Sequence, residues 1–475
     1  MADRVSGRNK KLVDDDMSRC HNVSCYRTGA MAQTLVERTM AVSLRALNRV
    51  ASSDALDRLG WRSSAERLVR DVSRGGARTA TTAGRTFIAA QRLAGPARQP
   101  RASGSRRPKL FDISPDDEQR MLRDSVGEFA LDRVRPAASD ADAACAAPGA
   151  LLTQANELGL TMIGVPEELG GAVDQRSATT TVLMAEALAR GDMGIAVACL
   201  APAAVSTAIS LWGDADQQAT YLPPFVSDDV PAAALALMEP EPLFDPFSLG
   251  ARARAARAGS DYVIDGVKAL VPRAGDAELF VVAAQLPSGT PGLFIVEPGT
   301  VGMTVEPDPG IGVRAAATAR LTLHEVRVPA AGLLGDGAPD AYGDCVALGR
   351  LAWCALAVGT GQAALDYVSD YVKTRQAFGE PVVNRQAVAF TVANMAIELE
   401  GLRLATYRAA GRVDQALPFH REVAIARRLL AGRGMQIGSD AVQMLGGHGY
   451  TKEHPVERWY RDLRAAGVLE GGLLV

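Results

Sequence analysis

The stretch AVQMLGGHGYTKEHPVERWYRDLRAAGVLEG, residues 441–471, contains a glycine run and, at its end, an isolated carboxylate. Gly446, Gly447 and Gly449 end a helical pattern, and glycine allows backbone N–H groups to approach an anion or a flat ligand closely. Glu470 follows an Arg-Asp pair and stands before two glycines. Taken separately, the glycine run indicates only a helix end, and the carboxylate only a solvated tail.

Apolar residues repeat with helical spacing through most of residues 336–475. Two long stripes come first: Leu351, Cys354, Val358, Leu365, Val368 and Val372, then Val388, Val392, Met395, Leu399 and Leu402. A third apolar pattern runs from Glu422 towards Met444. Long helices with short links predict a C-terminal four-helix bundle.

Two further domains are predicted before this bundle. Residues 109–230 read as helices: Ser114 is the expected cap, Pro115 fits the first helical position, and the first helix should end at Pro136. Residues 231–335 read as a β domain of short strand-length segments. Within it, Asp265-Gly266 in DYVIDGVKALV predicts a hairpin turn.

Residues 1–108 form an N-terminal extension with a basic second half and a Pro/Gly/Ser-rich end, AGPARQPRASGSRRPK. One interpretation is a surface for an anionic partner, and the other, which we favour, is a mobile arm and linker. Helical spacing at Leu35, Met40, Leu44 and Leu47 also allows a docking helix. Translation starting at Met31 or Met40 remains open.

Composition limits the remaining classes of function. With 48% hydrophobic residues, 22% charged residues and a net charge of -3, the chain is expected to be globular, with no affinity for nucleic acid or membranes. Six scattered cysteines favour a reducing compartment, hence the cytoplasm, and show no metal-ligand pattern. We expect no metal, no signal peptide and no transmembrane segment.

The order of three motifs is more specific than each motif alone. RQAFG, LGGHGY and RDLRAAGVLEG follow one another at the spacing found in acyl-CoA dehydrogenases, and VPEELGG and LHEVRVPAAGLLG lie upstream. Residues 110–475 therefore resemble that family. The resemblance implies an α+β, mostly α fold with an N-terminal helical domain, a middle β domain and a C-terminal four-helix bundle.

The resemblance also implies a reaction and a base. Glu470 matches the family's catalytic Glu, and Arg350 matches an active-site Arg whose predecessor, Gly349, provides no alternative base. A thioester α-proton is weakly acidic, so such a base needs a desolvated setting that raises a carboxyl pKa; Val468, Leu469 and Leu473 are expected to provide it. The implied reaction removes the α-proton of an acyl-CoA, transfers the β-hydride to FAD, and passes electrons to an electron-transfer flavoprotein.

Six further residues are implied to bind FAD. Arg375 would reach the pyrophosphate, Phe378 would pack nearby, and Gln386 opens the following helix. The adenosine half would be held by Gln443, Gly446 and Gly447. In the family these groups serve the flavin of a neighbouring subunit, which implies a tetramer built from dimers.

The flavin-ring site departs from the family pattern. Met238 stands where a Thr usually bonds the ring edge, and Pro272 stands where a Thr lies near N5. Either the ring binds here with substitute contacts, or the chain completes the flavin site of a related chain in a heteromer. A third reading, oxidation of nitroalkanes or action on damaged nucleic acid, lacks a matching Asp base. Acyl chain length, and whether the substrate is a fatty or sterol side-chain thioester, stay open.

Overall fold

The computed structural model describes residues 113–171, 176–227, 229–249 and 253–475. The predictions made for residues 1–108, including the docking helix and the basic arm, lie outside the described residues. Cys145, Cys199, Cys345 and Cys354 are described, and all four are free.

Helices make up most of the N-terminal part of the described chain, residues 113–171 and 176–227. Their bounds are α1 Asp117–Phe129, α2 Arg135–Ala144, α3 Gly149–Glu157, α4 Ala178–Ala189, α5 Met193–Trp212 and α6 Ala215–Tyr221. Two predictions about α1 are wrong. Asp116, not Ser114, is the cap. Its side chain accepts a hydrogen bond from the backbone N–H of Gln119, and the Gln119 side chain accepts one from the backbone N–H of Asp116.

Pro136 does not end the first helix, which was the second error. A π-helical turn, Ala130–Val134, follows α1, and α2 continues directly from it with Pro136 in its first turn. The wider turn changes the hydrogen-bonding register, so the missing proline N–H is accommodated.

Two helices are long and apolar enough to cross a membrane by length and composition. They are Met193–Trp212 and the Asp340–Thr374 part of α8, and the fold buries 89% and 83% of their most apolar windows. No transmembrane segment was expected from the sequence, in which these two long apolar stretches were not recognised. Burial inside the protein accounts for their composition, since core helices are apolar all round.

The β region contains a seven-stranded sheet in the order β1-β4-β2-β3-β7-β6, with β5 paired to β4. The strands are β1 Ala233–Ala236, β2 Arg254–Ala258, β3 Asp261–Val271, β4 Leu279–Gln285, β5 Pro291–Val296, β6 Met303–Pro307 and β7 Ala319–Pro329. A short helix, α7 Pro246–Leu249, lies between β1 and β2.

The hairpin predicted at Asp265-Gly266 is absent, because DYVIDGVKALV forms the single strand β3. Asp265 and Gly266 lie at a bulge in its antiparallel pairing with β7. Gly266 has a φ of +156°, and a Cβ there would lie 2.6 Å from Ala253. The glycine therefore allows β2 to pass close to the bulge instead of forming a turn.

The C-terminal helices are α8 Pro339–Thr374, α9 Gln386–Asp414, α10 His420–Leu429, α11 Met435–Leu445 and α12 Val456–Ala466, with a short β8–β9 ribbon (Gln376–Ala377, Glu380–Pro381) after α8. The first predicted stripe is confirmed on α8, where Leu351, Cys354 and Val358 are fully buried. The third stripe spans α10 and α11, which a π turn at Leu430–Gly434 separates. One apolar core joins these helices to the N-terminal ones.

Buried ion pairs fix α12, the helix that leads to Glu470. Arg461 makes two bonds of 3.0 Å to Asp142 of α2, and Arg458 bonds Asp192 at 3.0 Å. Asp462 accepts from the Val313 N–H of the β region at 2.6 Å. The helix is therefore attached both to the N-terminal helices and to the β region.

Candidate active site

Glu470 lies just beyond α12, and its side chain is only 6% exposed. The Nε of Arg350, on α8, donates to Oε1 at 3.0 Å and to Oε2 at 2.9 Å, and its Nη2 donates to Oε1 at 2.8 Å. This is a charge-assisted bidentate pair. The structure thus brings together Glu470 and Arg350, the two predicted catalytic residues.

A second arginine, Arg427 of α10, donates to Oε1 of Glu470 at 3.3 Å and to the carbonyl oxygen of Leu469 at 2.7 Å. Leu469 and Leu473 are buried, but the apolar setting expected for Glu470 is incomplete, because two guanidinium groups face it and Val468 is half exposed. Sequence reasoning missed Arg427. Its position on the buried face of α10, beside Val423, Ala426 and Leu430, was the available signal, because buried charges need partners.

The chain after Glu470 packs against the β region. Trp353 of α8 donates its indole N–H to the Gly471 carbonyl at 2.9 Å. Added Cβ atoms at Gly471 and Gly472, both with positive φ, would lie 2.7 Å from Leu237 and 2.8 Å from Pro272. Leu473, Leu474 and Val475 are buried. This segment therefore covers one side of the site.

Met238 and Pro272 lie where the chain past Glu470 meets the β region. Met238 is half-buried, Pro272 is buried, and the Met238 carbonyl accepts from the Ala269 N–H at 2.9 Å. Neither side chain offers a hydrogen-bond donor. Buried polar groups near Met238 and Glu470 belong to other residues.

One of those groups is a fully buried ion pair beside Met238. Lys268 Nζ bonds Glu239 Oε1 at 2.7 Å and the Leu237 carbonyl at 3.3 Å. Burial lowers the pKa of Lys268, and the Glu239 carboxylate opposes this effect. Sequence reasoning did not identify the pair.

The other is the hydroxyl of Tyr342, in the first turns of α8. It is buried and has no hydrogen-bond partner within the described part of the chain. Burial raises the pKa of this phenol, and Cys345, Glu239 and Glu470 raise it further. The electrostatic fields of both the Glu239 and the Glu470 carboxylates therefore act on the Tyr342 hydroxyl.

A separate cavity of about 830 Å³ gathers four predicted FAD residues: Arg375, Gln443, Gly446 and Gly447. Nothing lies within 4 Å of where a Cβ would stand at either glycine, so their backbone faces open space. Phe378 and Gln386 are exposed and lie outside this lining. The ring of Phe378, 93% exposed, instead contacts the Arg385 guanidinium at 5.4 Å.

FAD fits the two regions unequally. The cavity combines a guanidinium with open glycine backbone, the chemistry that binds a pyrophosphate and its adenosine. At Met238 and Pro272 the side chains offer a ring only apolar contact, and the buried Tyr342 hydroxyl has no hydrogen-bond partner within the described residues. The adenosine end of FAD therefore fits the residues that line this cavity. The ring end fits only with apolar contacts in place of the family's hydroxyl groups.

Three family models match the chain: the acyl-CoA dehydrogenase N-terminal domain at residues 116–229, the middle domain at 234–326 and the C-terminal domain at 335–472. The short-chain specific acyl-CoA dehydrogenase of Bos taurus mitochondria is 35% identical over 371 residues, which is 75% of this chain and 87% of that protein.

Solved structures agree with this relationship. Butyryl-CoA dehydrogenase from Megasphaera elsdenii superimposes with a TM-score of 0.69 at 28% identity, covering 76% of this chain and 96% of that one. PigA, solved with FAD and proline, gives a TM-score of 0.70 at 25% identity with the same coverage.

The predicted order of helical, β and helical regions is confirmed by these matches, which include the segment that carries Glu470. Because the three models together match most of the chain and a curated relative is 35% identical to it, the chain belongs to the acyl-CoA dehydrogenase family, whose enzymes use FAD to dehydrogenate acyl-CoA thioesters.

Proposed function

We propose that Glu470 is the base that removes the α-proton of an acyl-CoA in an FAD-dependent dehydrogenation. The observation that carries the proposal is the position of this carboxylate: it is nearly excluded from water and lies beside the β region that carries the ring-site residues. Exclusion of water strengthens each electrostatic contact with a reacting group. When bound, FAD supplies the acceptor for the β-hydride.

Arg350 has to release Glu470 before the base can act, because both carboxylate oxygens are engaged by its guanidinium. Alternative contacts are available to Arg350 nearby. Its Nη2 lies 3.6 Å from Asp245, and its guanidinium carbon lies 4.6 Å from the centre of the Phe247 ring. Entry of a thioester would move Arg350 towards Asp245 and Phe247 and free the carboxylate.

Arg375, Gln443 and the Gly446-Gly447 turn would hold the pyrophosphate and adenosine of FAD. We propose that the open side of their cavity is covered by a second chain. The supporting feature is an exposed apolar stripe on α9, made of Phe390, Ile397 and Leu404 at seven-residue intervals. Such a stripe on a helix favours packing against another subunit. We further propose a cytoplasmic enzyme that passes electrons to an electron-transfer flavoprotein, with no nucleic acid partner.

A second candidate function is that of a subunit with the same fold that has no dehydrogenase activity on its own. Loss of hydroxyl groups at Met238 and Pro272 favours a subunit that completes the flavin site of a related dehydrogenase chain, while the cavity at Arg375 keeps its motifs. In that heteromer, the ring of the flavin would lie in the other chain.

The test is the flavin content of the full chain made alone, read from its absorption spectrum and protein concentration. We expect about one FAD per chain, released on denaturation and reduced by at least one member of an acyl-CoA panel of increasing chain length. A colourless chain that becomes yellow only when co-expressed with a related dehydrogenase would overturn the independent enzyme and support the half-site subunit.

A further inference from the structure

Arg427 binds the segment that carries Glu470 at three points. Its Nη1 donates to the Ala466 carbonyl oxygen, and its Nη2 donates to the Leu469 carbonyl at 2.7 Å and to Glu470 Oε1 at 3.3 Å. The side chain is only 10% exposed. A buried guanidinium with three acceptors is well satisfied, and all three belong to one short segment.

The first of these contacts is made at a helix end. Ala466 is the last residue of α12, and the final carbonyl groups of a helix lack partners within it. A cation is favourable there, because the carbonyl ends of the helix carry partial negative charge. Arg427 therefore fixes the point at which the chain leaves α12 towards Glu470.

The two arginines hold the carboxylate in different ways. Arg350 bonds both oxygens, whereas Arg427 contacts Oε1 alone. Once Arg350 moves away, Oε1 stays attached to Arg427, and Oε2 loses the one donor that the described contacts give it. A general base needs such a free oxygen within hydrogen-bonding reach of the proton that it removes.

We propose that Arg427 is a positioning residue that holds Oε1 and the end of α12 so that Oε2 receives the α-proton. The α C–H bond breaks, its proton forms an O–H bond with Oε2, and its electron pair enters the new α,β double bond as the β-hydrogen leaves as hydride to oxidised FAD. This inference deepens the proposed function and rests on Glu470 being the base.

The test compares Arg427→Met and Arg427→Lys in the flavin-loaded full chain, with Arg428→Met as the control. Arg428 is the next residue on α10 and is exposed. Under anaerobic conditions, saturating acyl-CoA should reduce the flavin of Arg427→Met about 100-fold more slowly, because a displaced base is poorly aligned. The lysine variant should recover part of the rate, and the control should stay within about twofold of wild type.

The pH dependence separates positioning from a merely structural role. Removing a cation next to the carboxylate should move the acidic limb of the rate profile to higher pH in Arg427→Met. A readout that does not depend on flavin is a double-mutant cycle of Arg427→Met and Glu470→Gln, measured by thermal unfolding. The double variant should lose less stability than the sum of the losses of the two single variants. If Arg427→Met does not fold, Arg427→Lys decides by the same readouts.

The outcomes distinguish this inference from the proposed function. An unchanged rate and pH profile at residue 427, with Glu470→Gln inactive, would overturn the positioning role and leave the base in place. A wild-type rate in Glu470→Gln would remove the base assignment and, with it, the role of Arg427.

Discussion

Two buried carboxylates near the C terminus of the chain have different surroundings. Glu470 is paired with two guanidinium groups. Asp462 accepts the Val313 N–H and lies near Asp192, in the network that attaches α12 to the rest of the fold. Burial and the Asp192 carboxylate together raise the pKa of Asp462 to about 8, although the Val313 N–H and nearby arginines oppose this rise. The first carboxylate is suited to chemistry, and the second to holding α12.

Asp462 should make stability depend on pH. The unfolded group titrates near 3.8, so between about pH 4 and pH 8 the native state keeps a proton that the unfolded chain releases. Stability should therefore fall as pH rises through this window. The variant Asp462→Asn should lose less stability between about pH 5 and pH 8, measured by urea unfolding. Equal losses in the variant and wild type would show that Asp462 does not carry this dependence.

At the level of single residues, the sequence predicted Glu470, its burial and its partner Arg350, but not Arg427. The motif containing Glu470 is local, whereas Arg427 is 43 positions away and reaches it only because the fold places α10 beside the end of α12 and the segment after it. Tyr342 and the Lys268–Glu239 pair were missed for the same reason. These residues come together only in the folded core, and their spacing along the chain does not show that they are neighbours.

At the level of elements, the Lys268–Glu239 pair joins β3 to the segment after β1. Glu239 Oε1 also accepts from the Ala253 N–H at 2.9 Å, just before β2. This one carboxylate therefore connects three parts of the sheet beside the ring-site residues.

Replacement of this lysine should be costly. Lys268→Met removes the ammonium partner of a buried carboxylate, which we expect to lower the free energy of unfolding by about 3–5 kcal/mol. The loss should be measurable by urea unfolding of the full chain. The double variant Lys268→Met/Glu239→Gln should lose less unfolding free energy than the sum of the losses of the two single variants, because no buried charge remains. A loss in the double variant equal to that sum would contradict this explanation.

Predictions from local pattern were correct where apolar periodicity is long, as for the stripe on α8. They failed at Pro136 and at Asp265-Gly266, where a local signal for an end or a turn was overridden. In both places the element continues through a local irregularity, which is a π turn just before Pro136 and a β-bulge at Asp265-Gly266. Packing on both sides keeps the element continuous, and this packing is tertiary information.

At the scale of the whole molecule, we propose that a second chain covers the cavity at Arg375. Ile397, in the centre of the exposed α9 stripe, is 68% exposed. Ile397→Glu should reduce the oligomer to a smaller species in light scattering and lower the FAD content, because a buried charge at an interface is unfavourable. Val301→Glu, at a position 88% exposed in the β region, is the matched control. An unchanged mass and flavin content in Ile397→Glu would exclude this stripe as the interface.

The order of helical, β and helical regions could be predicted because it follows from periodicity and from motifs spread over residues 110–475. The assembly could not be derived in the same way. Whether the α9 stripe meets an identical chain or a related one depends on a surface that belongs to the partner.

The most direct measurement is anaerobic rapid mixing of the flavin-loaded full chain with an acyl-CoA, comparing wild type, Glu470→Asp and Glu470→Gln. We predict that Glu470→Gln loses flavin reduction by at least about 100-fold while it retains FAD, because the amide cannot accept the α-proton. Glu470→Asp should keep a small part of the rate. Flavin reduction at the wild-type rate in Glu470→Gln would contradict the claim that this carboxylate is the base.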